Sequence, residues 1–178
     1  MLEWSAGGFS QRSRAIPGDR REKSLICYMY SRLEASQLKK KFWTSFGQYM
    51  RPIPNVDGET INWINYKTGV RNIHFRMDAD NHNASIAIEL RHTDPVLREN
   101  YFNKFLALKP MITEILGEHW EWQPAVKDED EKLISRIGIV IKGVNVFDAG
   151  DWPTIISFLK PRMLALDQAW SLVKDNFI

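Results

Sequence analysis

A strict alternation of apolar and polar residues on both sides of a short polar turn limits this chain to few folds. Residues 72–78 and 84–91 place an apolar side chain at every second position, and residues 80–83 separate them. A period of two puts these apolar side chains on one face of a strand. The pattern predicts an antiparallel hairpin whose paired residue numbers add up to about 163, with Asp78 opposite Ser85 and Glu89 opposite His74.

The other face of this hairpin is polar. Opposite charges on neighbouring strands can pair there, Arg76 diagonally with Glu89, for roughly 0.2–1 kcal/mol. One interpretation is a solvated surface held by salt bridges. The other is a recognition face for a protein or a nucleic acid. The candidate binding residues on this face are His74, Arg76, Ser85, Glu89 and Arg91.

Capping and turn residues predict three helices. Ser31 and Glu34 fit a capping box that starts a helix ending near residue 50. Asp94 as N-cap, with Pro95 in the first helical position, starts a second helix that ends at Gly117 and is kinked at Pro110. The third helix is predicted to begin near residue 151 and to contain a proline at position 161.

Three further segments predict strands. Residues 61–66 are rich in Ile, Trp and Tyr, residues 120 and 122 are tryptophans two positions apart, and residues 133–141 are mostly β-branched. The links between neighbouring strands have the length of hairpin loops, which favours antiparallel pairing. We therefore predict an α+β fold of order α-βββ-α-ββ-α, with a largely antiparallel five-stranded sheet and three helices.

The first 28 residues differ from the remainder. They show no strand or helix period, and they hold five basic and three acidic side chains, whereas the rest of the chain holds nineteen of each sign. We expect residues 1–28 to be a disordered leader, which is either translated upstream sequence before a natural start at Met29 or a flexible tail of the native protein, and residues 29–178 to be a single domain. The neutral charge of that domain does not favour a phosphate-binding surface.

Cysteine content and hydropathy bear on the compartment. Cys27 is the only cysteine, so no internal disulfide can form, which favours a reducing environment. The chain also lacks an apolar run long enough to cross a bilayer. We expect a cytoplasmic protein without membrane contact.

One arrangement resembles a nuclease metal site. Asp78 followed by Glu89 and Arg91 is similar to the Asp and Glu-x-Lys residues of restriction-endonuclease cores. In the predicted register, however, the two carboxylates are four residues apart, roughly 13 Å at about 3.3 Å per residue. Carboxylates that share a divalent ion bring oxygens within about 2–2.6 Å of it. Arginine also gives up a proton far less readily than lysine. The sequence therefore predicts neither a metal site nor a cofactor, and a nuclease remains the alternative.

The chain resembles a bacterial family known as domain of unknown function 4268. The resemblance rests on Lys41-Phe42-Trp43, on INWINYKTGVRNIHFRMD from residue 61, on HWEW from residue 119 and on DWPTIISFLKPRM from residue 151. It implies a domain found alone or attached to nuclease-like domains of DNA defence, and it implies no catalytic residues. We expect a non-catalytic binding or accessory module with a protein partner, and nucleic acid is the alternative partner.

Overall fold

The computed structural model describes the backbone from Asp19 to Ile178 and the side chains from Leu33 onward. Residues Gln37–Ile178 form one compact unit, and the architecture below is that of this unit. The predicted leader, residues 1–28, lies largely outside the described residues. The disorder of residues 1–18 and the origin of the leader therefore stay predictions, as does the domain boundary at residue 29, whereas residues 19–28 are helical.

Helix α1 runs from Asp19 to Met50. The predicted helix start at Ser31 is wrong, because the helix already includes the residues before it. No glycine or proline stands between Asp19 and Ser31, so nothing in the sequence interrupts a helix there. The predicted end near residue 50 is confirmed. Phe42, Phe46 and Met50 follow one another at four-residue spacing and are completely buried.

The described residues form one antiparallel sheet of four strands. The strands are β1 (Ile73–Ala79), β2 (Asn83–Leu90), β3 (Glu121–Lys127) and β4 (Leu133–Lys142). Their order across the sheet is β1-β2-β4-β3, so β2 and β4 lie inside and β1 and β3 form the edges. The α+β class and the antiparallel pairing are confirmed, whereas the predicted count of five strands is wrong.

The strand predicted at residues 61–66 does not form. This segment is irregular, and the Asn62 side chain accepts hydrogen bonds from the amides of Ile64 and Asn65, both at 3.1 Å. A local bond of this kind favours a turn over a strand. Trp63 is 2% exposed and donates its indole N–H to the carbonyl of Ile53 at 2.9 Å. The aromatic residues that suggested a strand therefore anchor a loop to the core.

The register of the central hairpin is the predicted one. Asp78 pairs with Ser85, and His74 pairs with Glu89. The turn is held by Asp80, whose carboxylate accepts the amides of His82 at 2.6 Å and Asn83 at 2.7 Å. Burial works to raise the pKa of Asp80, but these two amides outweigh it and lower that pKa.

The predicted kinked helix is in fact two helices, so three helices was also the wrong count. Helix α2 spans Pro95–Ala107 and helix α3 spans Lys109–Leu116, with Leu108 between them. Proline has no N–H and clashes with the carbonyl four residues earlier, so Pro110 fits the first turn of a new helix better than the interior of an old one. The predicted boundaries are confirmed: Asp94 caps α2, and Gly117 ends α3 with a φ of 69°.

Helix α4 spans Trp152–Val173 after a 3₁₀ turn at Ala149–Asp151, and Pro161 lies inside it as predicted. A second 3₁₀ turn, Lys174–Asn176, follows. Helix α4 packs across β2 and against α3, so it covers the apolar face of the sheet. The largest completely buried side chains of this core are Trp63, Phe42, Phe46, Phe105, Met50, Ile73, Ile86, Leu90, Ile112, Ile137, Ile155 and Leu159. No helix in the described part of the chain is long and apolar enough to span a membrane.

The buried carboxylate of Asp167 ties the irregular segment before β1 to α4. Asp167 is 4% exposed, and it accepts the hydroxyl of Tyr66 at 2.6 Å and the amide of Val56 at 2.8 Å. Burial, together with the bond to Asp167, raises the pKa of Tyr66, so this phenol keeps its proton and donates. One turn further along α4, Trp170 donates its indole N–H to the carbonyl of Thr68 at 2.9 Å.

We predict that Asp167→Ala lowers the free energy of unfolding by about 2–3 kcal/mol, because it removes the acceptor of two part-buried hydrogen bonds. Tyr66→Phe removes one of these bonds together with its donor and is expected to lower it by only about 1 kcal/mol. Urea unfolding followed by tryptophan fluorescence measures both values. Equal effects of the two substitutions would contradict the role given to Asp167.

Candidate functional site

The polar face of the sheet is organised in three rows that run across β1, β2 and β4. One row is Asp78, Ser85 and Val140, the next is Arg76, Ala87 and Gly138, and the third is His74, Glu89 and Arg136. The alternation predicted from the sequence therefore places the candidate residues on one face. It also adds residues of β4 to that face.

Small residues in the middle row let a long side chain cross the face. Arg136 belongs to the third row, yet its guanidinium donates to the hydroxyl of Ser85 in the first row at 3.3 Å. A Cβ atom on Gly138 would lie 2.8 Å from the Cβ of Ala87 and 3.0 Å from the carbonyl oxygen of Ile86. The close approach of β2 and β4 therefore requires glycine at position 138.

A cleft of about 450 Å³ lies over this face. Its charged lining comes from three sources: helix α1, the strands, and the loop between β3 and β4. Five side chains are basic and six are acidic, so the cleft has almost no net charge. They are Lys39, Arg76, Arg91, Lys127, Arg136, Asp78, Asp80, Glu89, Asp128, Glu129 and Asp130.

Glu89 is a deeply placed charge of the cleft. Its side chain is 10% exposed, and its Oε2 atom lies 3.6 Å from Nε of Arg91 and 3.9 Å from Nε of Arg76. Both distances exceed that of a hydrogen bond, and no described residue donates one to Oε2. The two guanidinium groups stabilise the carboxylate by their charge, while one of its oxygens is buried without a donor.

Arg91 links Glu89 to the loop between β3 and β4. Its guanidinium also donates to Asp128, whose side chain is 6% exposed. Asp128 further accepts the amides of Asp130 at 3.0 Å and Lys132 at 2.9 Å. Burial tends to raise the pKa of Asp128, but the amide of Lys132 and the guanidinium of Arg91 outweigh it and lower that pKa. The carboxylate therefore stays charged and holds Arg91 in place.

Of the other predicted residues, Asp78 lines the cleft and His74 lies outside it. Asp78 forms an ion pair with Lys39 of α1 at 2.8 Å. His74 does not line the cleft, and lies in a groove along β1 beside Lys67 and Arg71. Burial lowers the pKa of His74, and Arg91 and Arg76 lower it further against the effect of Glu89. His74 is therefore mostly uncharged at neutral pH.

The structure thus brings Arg76, Ser85, Glu89 and Arg91 together in one cleft and leaves His74 outside it. Asp78 and Glu89 line the same cleft, but each is engaged with a different basic partner. In the described part of the chain, no group of three His, Cys, Asp or Glu side chains could hold a metal ion. The role of these residues in binding stays a prediction.

Lys39, Asp128 and Arg136 line the cleft but were not predicted from the sequence. Lys39 and Asp128 reach the cleft from a helix and a loop, 39 and 37 residues away from their partners, and no sequence period reports such contacts. Arg136 had a signal, because the strand at residues 133–141 was predicted. Only the strand order, which pairs β4 with β2, shows that Arg136 faces Glu89.

We predict that Gly138→Ala lowers the free energy of unfolding by about 1–3 kcal/mol, because its Cβ would overlap β2. The control is Val140→Ile, which adds one carbon on the same strand and face where the side chain is 48% exposed. Its effect should be within about 0.5 kcal/mol. Chemical denaturation measures both, and a Gly138→Ala protein as stable as the parent would contradict the close approach.

Comparison with known proteins identifies the family of this domain. No curated protein and no solved structure matches the chain. A family described as a domain of unknown function (DUF4268) matches residues 38–174, which include all of the sheet and all of the cleft lining. This match agrees with the resemblance seen in the sequence and covers most of the chain. The chain belongs to the DUF4268 family.

Proposed function

We propose that this domain is a non-catalytic binding module whose polar cleft receives a protein segment carrying charges of both signs. The observation that carries the proposal is the buried Oε2 atom of Glu89, which has no donor among the described residues. A buried acceptor without a donor costs about 1–3 kcal/mol. When the exposed Arg76 side chain moves aside, an incoming amide, ammonium or guanidinium group can donate to Oε2 and recover that energy, which favours the bound state.

The balance of charge in the cleft supports a protein partner over a nucleic acid. Nucleic-acid sites present clustered lysine and arginine to a chain of phosphates. Here five basic side chains stand among six acidic ones, so a phosphate backbone would meet repulsion as well as attraction. A protein segment with both kinds of charge matches such a surface.

An accessory role suits the DNA-processing or defence context that the family resemblance implies. A bacterial and cytoplasmic setting agrees with the single cysteine of the chain, since a reducing compartment needs no disulfide. In this proposal the domain acts through its partner and does not perform chemistry itself.

Reversing one cleft charge tests the proposal. Arg76 has a side chain that is 62% exposed at the cleft, so Arg76→Glu alters recognition without opening the core. Arg51 is also exposed and lies outside the cleft lining, so Arg51→Glu is a control with the same change in net charge. All three proteins are used to capture partners from a bacterial lysate, and the captured proteins are quantified by mass spectrometry.

We expect at least one protein that the parent and the Arg51→Glu control retain and that Arg76→Glu loses. Calorimetry with that purified protein should then show binding weakened about tenfold or more by Arg76→Glu. The same captured proteins with all three baits would count against the cleft. Salt-sensitive binding of labelled duplex or single-stranded DNA, measured by fluorescence anisotropy, would favour nucleic acid as the partner instead.

A metal-dependent nuclease that uses Asp78, Glu89 and Arg91 is the second candidate. The observation in its favour is that all three side chains line one cleft. The ion pair between Asp78 and Lys39 weighs against it, because a metal ion would have to displace the lysine. This candidate requires manganese-dependent cleavage of a plasmid that Glu89→Ala abolishes, and purified protein without such cleavage would eliminate it.

A further inference from the structure

A second cavity, of about 380 Å³, lies where β2 leads into α2. Arg91 and Asp128 line both this cavity and the polar cleft, so their ion pair forms a shared wall. The other lining residues are His92, Thr93, Pro95, Arg98, Lys132, Leu133 and Ile134. The volume is within the range of about 300–1,000 Å³ that is typical of small-molecule sites.

Arg98 is a buried cation without a carboxylate partner. It is 7% exposed, and its Nη1 atom donates to the carbonyls of His92 at 3.3 Å and Leu133 at 3.2 Å. Among the described residues, no carboxylate oxygen lies within 4.0 Å of its nitrogens. Asp94, one turn earlier, uses its carboxylate to cap α2. A buried arginine is nearly always paired, so this one is an exception that calls for an anion.

The neighbouring charges do not compensate Arg98. Asp128 is engaged with Arg91, and Lys132 adds a further positive charge whose ion pair among the described residues is with Asp130 at 3.4 Å. His92 is 7% exposed, and its Nδ1 atom has no hydrogen-bond partner among the described residues. The cavity wall therefore holds one buried cation without a carboxylate partner and one buried imidazole nitrogen without a hydrogen-bond partner among the described residues.

The rest of the wall is apolar. Pro95, Leu133 and Ile134 contribute hydrocarbon surface, and Ile134 is 3% exposed. We propose that the cavity beside Arg98 binds a carboxylate carried on an apolar body. Arg98 receives the carboxylate, His92 lies beside it, and the apolar side chains contact the body of the ligand. This site is separate from the proposed protein-binding cleft and does not depend on it.

The test is a nuclear magnetic resonance titration of the ¹⁵N-labelled full chain. Phenylacetate is the probe, and phenylacetamide is a matched probe of the same shape without charge. We expect phenylacetate at millimolar concentration to shift the Arg98 Nε–H signal and the His92 and Leu133 amides in a saturable way. Phenylacetamide should need a concentration at least about tenfold higher to produce the same shifts, because it cannot pair with the guanidinium.

Two substitutions locate the binding. Arg98→Gln should weaken phenylacetate binding about tenfold or more. Leu133→Ala changes an apolar wall side chain that is 48% exposed, so the fold is retained, and it should weaken binding several-fold. If Arg98→Gln fails to fold, the Leu133→Ala result and the parent titration still show whether the cavity binds the carboxylate. Equal shifts with the two probes, or phenylacetate shifts confined to other parts of the chain, would overturn the proposal.

The source of the carboxylate is distinguished by a second pair of probes. A tripeptide ending in phenylalanine is titrated with its terminal carboxylate free and with that carboxylate amidated. Tighter binding of the free-acid peptide than of phenylacetate would assign the site to a peptide C-terminus. Tighter binding of phenylacetate would assign it to a small organic acid. Absence of any shift near Arg98 with both acids would refute the site.

Discussion

The pairing of β2 with β1 on one side and with β4 on the other determines where almost every important side chain lies. It places Ile86 and Ile88 in the core and Ser85 and Glu89 in the polar cleft. A slip of one residue would exchange the two faces and bury the charged side chains in the core. The cost of such an exchange explains why the register is unique and why the alternation in the sequence is so strict.

Paired charges account for the properties of the polar cleft. An isolated buried carboxylate is unstable, but Glu89 lies among arginine side chains from β1, from β4 and from the residue that follows β2. Two of these arginines contact a further acceptor, Arg91 with Asp128 and Arg136 with Ser85. The result is a network that holds its own side chains in place while remaining almost neutral as a whole, which favours selective recognition over general attraction to polyanions.

The sequence predicted those parts of the fold that depend on local chemistry. The hairpin register followed from its alternation, and the start of α2 followed from Asp94 and Pro95. It failed where other contacts outweighed a local preference: residues 61–66 have the composition of a strand, but Asn62 forms turn bonds there and Trp63 is held in the core by its bond to Ile53. The site was predicted only in part for the same reason, because Lys39 and Asp128 enter the cleft through contacts between distant segments.

The irregular backbone of edge strand β3 affects whether another strand can pair with this side of the sheet. This edge strand carries Pro124, which has no N–H to offer, and its pairing with β4 is shifted between Gln123 and Val126. An incoming strand from another molecule would find neither a regular ladder of donors nor a flat edge to join. The backbone geometry of β3 thereby disfavours growth of the sheet from this side into a larger assembly.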